Sequence, residues 1–350
     1  MKNRIPHSRP FATDSDVRCV TDALRAGRFS QGQEVAGLEQ ALAAAFGRKE
    51  AVAVSSGTAA VALALVALGV RAGDAVALPS YTCQNVLAAV RYADARPLCA
   101  DVGKDGVCLS ARTVSVLAEQ RPRAVVAPHM FGYRAEIEEI MALGLPVIED
   151  CAQAVGGLAA DGTRLGAKGA MATLSFFATK LLPAGEGGAC LTDDADLAAT
   201  VRALRDSDKQ PLRDKAFNFK MSDIAAALAR AKLDALADNV ATRERIAARY
   251  DKAFGPQSFR VARAAPQPVC FRYLLDAGEH LELALRRCEE AGIACRKPVW
   301  NPLHRIAGGT CPETDRRHES LLSVPIYPGL EPDEAERICH ELSEILDGAN

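Results

Sequence analysis

Residues 51–70 read AVAVSSGTAAVALALVALGV, twenty uncharged positions in a row that decide how the chain is organised. The length alone would suit a membrane span, but Ser55-Ser56-Gly57-Thr58 interrupts the apolar run with turn-forming residues. The short run before the interruption, Ala51–Val54, is typical of a buried strand, and the longer run after it, Ala59–Leu68, is typical of a helix. We therefore predict a strand, a turn and a helix.

Further short apolar runs predict more buried strands, several of them separated by helical stretches. The predicted strands are Ala51–Val54, Val76–Leu78, Pro97–Ala100, Ala124–Ala127, Pro146–Ile148, Ala172–Phe177 and Ala189–Leu191, and the helices between them include Ala59–Leu68, Asn85–Tyr92 and Ala135–Ala142. This alternation is typical of the α/β class, in which helices cover both faces of a mainly parallel sheet. Because ligands bind beyond the carboxyl ends of such strands, the polar residues that follow them are candidate site residues.

The rest of the chain predicts two domains. Two helices, near Ser15–Ala26 and Glu34–Phe46, precede the sheet, and a long Ala-rich helical stretch with one break runs from Met221 to Tyr250. The segment Phe254–Pro268, richer in Pro, Arg and Gln, is typical of a connector. The tail predicts a small α+β unit, with a strand at Phe271–Leu275 and helices at Leu281–Ala291 and Pro332–Leu346. We assign residues 1–240 to a large domain and residues 241–350 to a small one.

Composition excludes several classes of protein. Hydrophobic residues make up 49% of the chain and charged residues 25%, which excludes a mostly disordered protein. The formal net charge is −2, so no overall field attracts nucleic acid or a membrane surface. The eleven cysteines include no CxxC pair, and their odd number argues against a disulfide framework or a zinc ribbon. Together with an N-terminus that lacks the apolar region of a signal peptide, they favour the cytoplasm.

The segment after the first predicted strand, Ser55–Ala60, is the first candidate binding segment. Gly57 would let the backbone approach a ligand, and the free N–H groups at the start of the next helix would attract an anion. The alternative is an ordinary helix cap and turn.

Two ionisable residues follow other predicted strands. Asp150 ends the run Val147-Ile148-Glu149-Asp150, where its carboxylate could face a cationic ring nitrogen or cap the following helix. Lys180 follows the apolar run Ser175-Phe176-Phe177. It could be a Schiff-base nucleophile with a pKa lowered by burial, or a solvated loop lysine.

A glycine-rich turn, Pro183–Ala189, lets the backbone pack closely beside this lysine. It lacks the Lys-Ser/Thr of a Walker loop, and no GxGxxG follows a strand, which argues against a nicotinamide-dependent dehydrogenase. Taken together, the segments offer a phosphate cradle, a carboxylate for a pyridinium and a lysine for an aldehyde. Those are the three needs of pyridoxal 5′-phosphate (PLP).

In this order the motifs resemble those of the DegT/StrS nucleotide-sugar aminotransferases, and the resemblance runs from about Phe11 to Glu344. It rests on SSGTAA (55–60), PSYT (79–82), VIEDCAQAVG (147–156), SFFATK (175–180), GEGG (185–188) and FNFKMSDIAAA (217–227). The resemblance implies the fold of type I PLP-dependent transferases, with a large domain built on a mainly parallel mixed sheet and a smaller α+β C-terminal domain. It implies PLP as the cofactor and no metal.

The resemblance also implies roles for cofactor-binding residues. Lys180 forms the Schiff base with the cofactor, Asp150 keeps the pyridine nitrogen protonated, and Gln153 lies against the ring or its hydroxyl. The phosphate is bound by Gly57, Thr58, Ala59 and Ser175, with Asn218 reaching it from a neighbouring subunit. The active sites would therefore be shared within a homodimer.

On the substrate side the resemblance implies Tyr81, His129, Glu186 and His304, with His304 approaching the sugar from the partner chain. The alternatives are a structural hydrogen bond for His129 and a surface position for His304. Cys83 stands where relatives usually carry an aromatic residue that stacks on the cofactor ring. A thiol offers less area and no π-face, so cofactor binding would be weaker or another side chain would cover the ring.

The implied reaction moves an amino group from L-glutamate to a keto sugar linked to a nucleoside diphosphate. A keto cyclitol or another keto compound is an alternative acceptor. A sugar dehydratase is disfavoured because such relatives carry His where this chain has Lys180. A PLP-binding regulator without catalysis is favoured by Cys83 and disfavoured by the intact set of Lys180, Asp150 and Gln153. We expect small-molecule substrates, no nucleic acid and no membrane partner.

Overall fold

The computed structural model describes residues 4–207, 215–262 and 267–347. The strand–helix alternation predicted from the sequence is present and builds a seven-stranded sheet in the order β1-β7-β6-β5-β4-β2-β3. Its strands are β1 (Glu50–Val54), β2 (Ala75–Pro79), β3 (Arg96–Ala100), β4 (Ala124–Pro128), β5 (Val147–Asp150), β6 (Met171–Ser175) and β7 (Gly188–Thr192). Strand β7 runs antiparallel to both of its neighbours, and the other pairs are parallel.

Helices flank this sheet and form most of the C-terminal part. They are α1 (Asp14–Arg25), α2 (Gln33–Phe46), α3 (Gly57–Ala67), α4 (Gln84–Tyr92), α5 (Ala111–Ser115), α6 (Ile137–Met141), α7 (Ala195–Arg205), α8 (Asp223–Asp234), α9 (Leu236–Phe254), α10 (Phe259–Ala262), α11 (Leu281–Glu290), α12 (His304–Ala307), α13 (Pro312–Ser320) and α14 (Pro332–Asp347). A small antiparallel sheet pairs β8 (Tyr273–Asp276) with β9 (Leu321–Val324).

Strand β4 shows why the sheet is buried on both faces. Every one of its residues is buried, and successive side chains point to opposite faces. Val126 packs with α3 and α4 on one side, whereas Val125 and Ala127 pack with Phe131 and Ile137 on the other. The sheet is therefore the middle layer of three, and its polar residues are exposed to ligands only where the strands end.

Helix α9 connects two apolar clusters. Leu236 and Val240 pack against the cluster beside β6, while Tyr250 and Phe254 belong to the cluster around the small sheet. The predicted division after residue 240 falls inside this helix, between those two groups of side chains. Ile5 was assigned to the large domain, but its side chain packs in the C-terminal cluster rather than beside the large sheet.

Several predicted element bounds differ from the structure. The strand predicted to reach Phe177 ends at Ser175, because the chain turns there into the loop that carries Lys180. The helix predicted over Ala135–Ala142 is only the five residues of α6. The predicted connector begins inside α9 and contains α10, and its residues 263–266 lie outside the described ranges. Strand β9 was not predicted.

No helix within the described ranges is both long enough and apolar enough to cross a membrane.

Candidate active site

The carboxyl ends of the parallel strands open into a cavity of about 610 Å³, with further walls from the C-terminal part. Strands β1, β2, β4, β5 and β6 each deliver residues to it. The predicted site residues that line it are Gly57, Thr58, Cys83, His129, Asp150, Gln153, Ser175, Lys180 and Glu186. Four described residues predicted for the site do not line it, namely Ala59, Tyr81, Asn218 and His304.

The turn between β1 and α3 forms an anion cradle. Ser56 caps α3, and its Oγ accepts a hydrogen bond of 3.1 Å from the N–H of Ala59. This cap corrects the expected role of Ala59, because the N–H assigned to a phosphate already has a partner. Gly57 and Thr58 are the first residues of the helix, where N–H groups lack helical acceptors and the helix dipole favours negative charge.

Gly57 also allows this helix to approach β6. A Cβ atom at Gly57 would lie 2.7 Å from Cβ of Ser175, closer than side chains pack. The hydroxyl of Ser175 therefore lies beside the helix N-terminus, and both line the cavity. In the segment Ser55–Ala60, the N–H of Ala59 is therefore used by the helix cap, whereas the N–H groups of Gly57 and Thr58 remain open to an anion.

Asp150 ends β5 and is buried at the cavity wall. Its Oδ1 accepts a hydrogen bond of 2.9 Å from the N–H of Ala152. Burial raises the pKa of Asp150, and the Ala152 N–H and the charge of Lys180 offset this only in part. No cation in the described part of the chain forms an ion pair with this carboxylate, so its charge would be stabilised by a cationic group in the cavity.

Lys180 lies half-buried across the cavity, with Nζ 5.4 Å from the ring centroid of Phe271. Burial lowers its pKa, and the charge of Arg272 lowers it further, while Asp150 and Cys83 act in the opposite direction. A lysine with a lowered pKa spends more time as the neutral amine, which is its nucleophilic form. This half-buried position disfavours the alternative of a solvated loop lysine.

Gln153 is held by an unusual turn. Its Oε1 accepts a hydrogen bond of 2.8 Å from the N–H of Phe131, a residue with a left-handed φ of 60°. The next residue, Gly132, has a φ of 94°, and a Cβ there would lie 1.7 Å from the carbonyl oxygen of Val269. The hydrogen bond from Phe131 fixes the Gln153 amide and leaves its NH₂ group to face the cavity.

His129 lines the cavity, but both of its ring nitrogens have partners. Nδ1 accepts from the N–H of Ala135 at 3.1 Å, so Nε2 carries the proton and donates to Glu149 at 3.0 Å. Burial alone would raise the pKa of Glu149, but the hydrogen bonds from His129, Gly169 and Gly166 lower it to about 2. Only the carbon atoms of the His129 ring remain for a bound molecule.

The nitrogen, oxygen and sulfur atoms of His129, Glu149 and Cys151 lie within 4.8 Å of one another. A metal would have to displace the hydrogen bonds that already use both histidine nitrogens and the carboxylate. The group is therefore a structural polar cluster.

The structure places Tyr81, His304 and Asn218 outside the cavity of their own chain. Tyr81 is fully buried, with its ring edge-on to Phe131 at 6.0 Å. His304 Nδ1 forms a hydrogen bond of 2.6 Å with Ser80 Oγ. Its Nε2 lies 3.3 Å from a carboxylate oxygen of Asp315. Asn218 is exposed, so any contact with a cofactor would have to come from another copy.

The sequence reasoning missed the cavity residues that come from the C-terminal part, among them Phe271, Arg272 and Trp300. One signal was present, because Arg272 interrupts an otherwise apolar predicted strand. Trp300, the only tryptophan, is 82% exposed at the cavity. Nothing in the local pattern connects these residues to Lys180, since they meet only in the folded chain.

Comparison with known proteins gives consistent matches along the chain. The sequence profile of the DegT/DnrJ/EryC1/StrS aminotransferase family matches residues 11–343. GDP-perosamine synthase of Caulobacter vibrioides is 32% identical over 340 residues, which cover 91% of each protein. The aminotransferase TlmJ from Streptoalloteichus hindustanus is 26% identical, with a TM-score of 0.91 over 99% of both chains. DesI, whose crystal structure was determined in the presence of its TDP-sugar product, is 27% identical, with a TM-score of 0.90 over 99% of this chain and 94% of DesI.

The likeness to these solved structures confirms the predicted fold of the PLP-dependent aminotransferases. The profile match extends over almost the whole sequence, and the cavity lies where the matching motifs meet. This chain therefore belongs to the DegT/DnrJ/EryC1/StrS aminotransferase family.

Proposed function

We propose that this aminotransferase moves an amino group from L-glutamate to a keto sugar carried by a nucleoside diphosphate. One observation carries the proposal: a lysine with a lowered pKa and a buried carboxylate without a cationic partner line the same cavity as an anion cradle. GDP-perosamine synthase and DesI, the latter with its TDP-sugar product, support a nucleotide sugar as the acceptor.

The residues fit PLP, the cofactor of this family. Gly57, Thr58 and Ser175 would hold its phosphate, Asp150 would face its ring nitrogen, and Lys180 would bind its aldehyde carbon. The raised pKa of Asp150 is the observation that tests this fit, because a protonated ring nitrogen would supply the positive charge that the described residues do not. When bound, PLP supplies an electron sink for the negative charge that develops at the donor carbon.

Asp150 holds the proton on the ring nitrogen, which keeps that sink positively charged. Lys180 would act as the proton carrier: its Nζ would take the proton from the α-carbon of the donor and give a proton to the carbon of the cofactor that was the aldehyde. Gln153, whose amide is held by the N–H of Phe131, would lie against the cofactor ring or its hydroxyl. In the second half of the reaction Lys180 moves protons in the reverse sense, toward the acceptor carbon.

Two further parts of the proposal concern assembly and location. A second copy of the chain would bring the exposed Asn218 to the phosphate and complete the site in a homodimer. All eleven cysteines are free thiols, which supports work in the reducing cytoplasm, as expected for polysaccharide biosynthesis from sugar nucleotides.

A keto cyclitol as the acceptor, or cofactor binding without catalysis, are the competing functions. Cys83 is the observation that favours the second, because its exposed thiol replaces a stacking aromatic ring at the cavity. Phe177, Phe271 and Trp300 also line the cavity and offer aromatic surface that the thiol lacks.

The test begins with the PLP-loaded protein. Reduction with borohydride followed by peptide mapping should label Lys180, and L-glutamate should bleach the yellow colour of the unreduced sample. Keto-sugar nucleotides should then restore the colour by accepting the amino group from the bleached enzyme, whereas keto cyclitols should not. A folded, loaded protein that no amino donor bleaches would contradict the aminotransferase assignment and support the binder.

A further inference from the structure

Arg272 reaches the cavity from the C-terminal part, opposite the strand ends that carry the predicted site. Its Nη1 donates to His7 Nδ1 at 2.9 Å and to Ser8 Oγ at 2.8 Å, both neutral acceptors. No carboxylate in the described ranges pairs with it. Because a part-buried cation without a counter-ion is costly, the arrangement is suited to an anionic ligand.

The N-terminal segment that contacts Arg272 is fixed to the C-terminal part of the chain. Ile5 is buried there and forms two backbone hydrogen bonds of 2.9 Å. His7 Nε2 lies 3.0 Å from Ser323 Oγ. Burial, with the charges of Arg272 and Arg296, lowers the pKa of His7 to about 2, so His7 stays neutral and its Nδ1 remains an acceptor. The segment therefore orients the guanidinium from behind.

The remaining donors of Arg272 have no partner among the described residues and are available to a ligand. A guanidinium has five N–H groups, and two on Nη1 are used by His7 and Ser8, which leaves Nε and Nη2. Its Cζ lies 4.8 Å from the centroid of the Phe271 ring, and Lys180 Nζ lies 5.4 Å from the same centroid. The fork of donors and the reacting amine thus share one aromatic neighbour.

The position decides which anion fits. In an α-amino acid, the carboxylate is attached to the carbon that bears the reacting amine, so it must bind close to Lys180. In a sugar nucleotide, the sugar ring separates the diphosphate from the keto carbon, so the diphosphate binds farther away. A planar guanidinium also matches a carboxylate with two parallel hydrogen bonds.

We propose that Arg272, oriented by the docked segment Ile5–Ser8, binds a carboxylate of the amino donor and so places the donor amine beside Lys180. This inference rests on the proposed aminotransferase function. His7 and Ser8 are positioning residues, since they act on the donor only through Arg272.

The experiment measures the donor half of the reaction alone. L-Glutamate is titrated into the PLP-loaded enzyme, and the loss of colour gives an apparent Kd and a limiting rate. Arg272→Met should raise the apparent Kd for L-glutamate by about ten- to a hundredfold, the effect of losing hydrogen bonds to a charged group. Arg272→Lys should recover only part of the loss, because an ammonium lacks the planar fork.

Further measurements distinguish a direct contact of Arg272 with the donor from a general effect of positive charge and from a loss of folding. Glutarate, which carries carboxylates but no amine, should bind the wild type and lose affinity for Arg272→Met in calorimetry. Arg296→Met removes a nearby charge outside the cavity and should change the Kd for L-glutamate by about twofold at most, since exposed charges are screened. His7→Phe and Ser8→Ala should each raise that Kd by less than Arg272→Met, with little change in the limiting rate.

The outcomes distinguish the two proposals. If the wild type is never bleached by an amino donor, the proposed function fails and this inference fails with it. If L-glutamate bleaches the wild type and Arg272→Met with the same apparent Kd, only the role of Arg272 is overturned. The role is also overturned if Arg272→Met leaves the donor half unchanged and weakens only the reverse reaction with amino-sugar nucleotides, which would assign Arg272 to a phosphate.

Discussion

Glu149 and Asp150 are consecutive residues of β5, and both are buried. Glu149 accepts hydrogen bonds from the N–H groups of Gly166, Lys168 and Gly169 as well as from His129. Asp150 accepts one from Ala152. The pKa of Glu149 is lowered to about 2, whereas that of Asp150 is raised, because the first carboxylate has internal donors and burial dominates at the second.

The difference separates a structural carboxylate from one held ready for a ligand. Adjacent strand residues point to opposite faces, so each can have its own surroundings. Arg48 extends the Glu149 side, since its Nε and Nη2 donate to the carbonyl oxygens of Gly166 and Gly169. Glu149 therefore stabilises the loop of residues 166–169. The charge of Asp150, by contrast, is left to be balanced by a cationic group of a ligand in the cavity.

Asp150→Asn should produce the largest effect, on catalysis. The variant should keep PLP but lose turnover by about 10²–10⁴-fold, the range for removing a group that controls a proton. Without PLP its free energy of unfolding should stay equal or rise, because the ionised Asp150 is destabilised by burial. Steady-state kinetics and urea unfolding check the two parts, and full activity would remove Asp150 from the proposed role.

Glu149→Gln should show the opposite pattern. The free energy of unfolding should fall by roughly 2–3 kcal/mol, because hydrogen bonds to a charged group contribute about 1.5–3 kcal/mol. Turnover per folded molecule should change much less than in Asp150→Asn. Glu138→Gln, at an exposed carboxylate, is the matched control for urea unfolding. Equal stability of both variants would contradict the structural role of Glu149.

The pH dependence of stability should distinguish the same two residues. The folded pKa of Glu149 is depressed, so its contribution is fully present above its ordinary pKa of 4.5 and is lost as the pH falls toward about 2. The difference in unfolding free energy between wild type and Glu149→Gln should therefore be constant above about pH 5 and shrink below it. Urea titrations at several pH values measure this difference. A difference that grew on acidification would contradict a lowered pKa of Glu149 in the folded state.

Gly57→Ala should give the smallest effect, confined to the cavity. The added Cβ would meet Ser175 at 2.7 Å and push the helix N-terminus away, weakening PLP binding by about tenfold, since overpacking costs about 1–3 kcal/mol. Absorbance titration with PLP measures the change. Gly329→Ala is the control, because no heavy atom lies within 4 Å of its added Cβ. Unchanged affinity in Gly57→Ala would show that the close approach is dispensable.

Local sequence patterns predicted the strands of the main sheet well because each is a short apolar run that the sheet buries. They predicted Lys180, Asp150 and Gly57 together because parallel strands end at one edge, which brings their following residues into one cavity. The same patterns failed at β9, where Ser323 interrupts the apolar run Leu321–Val324 and only the pairing with β8 marks the segment as a strand.

By itself, the sequence determined the α/β fold, the family and the lysine, carboxylate and cradle expected to hold PLP, since these depend on periodicity and on motifs that lie close in the chain. Only the tertiary structure decided that Glu149 is saturated while Asp150 is not, that His304 turns to Ser80, and that Arg272 reaches the cavity. Those outcomes depend on hydrogen bonds between segments far apart in sequence, as between residues 7 and 272, which no local pattern encodes.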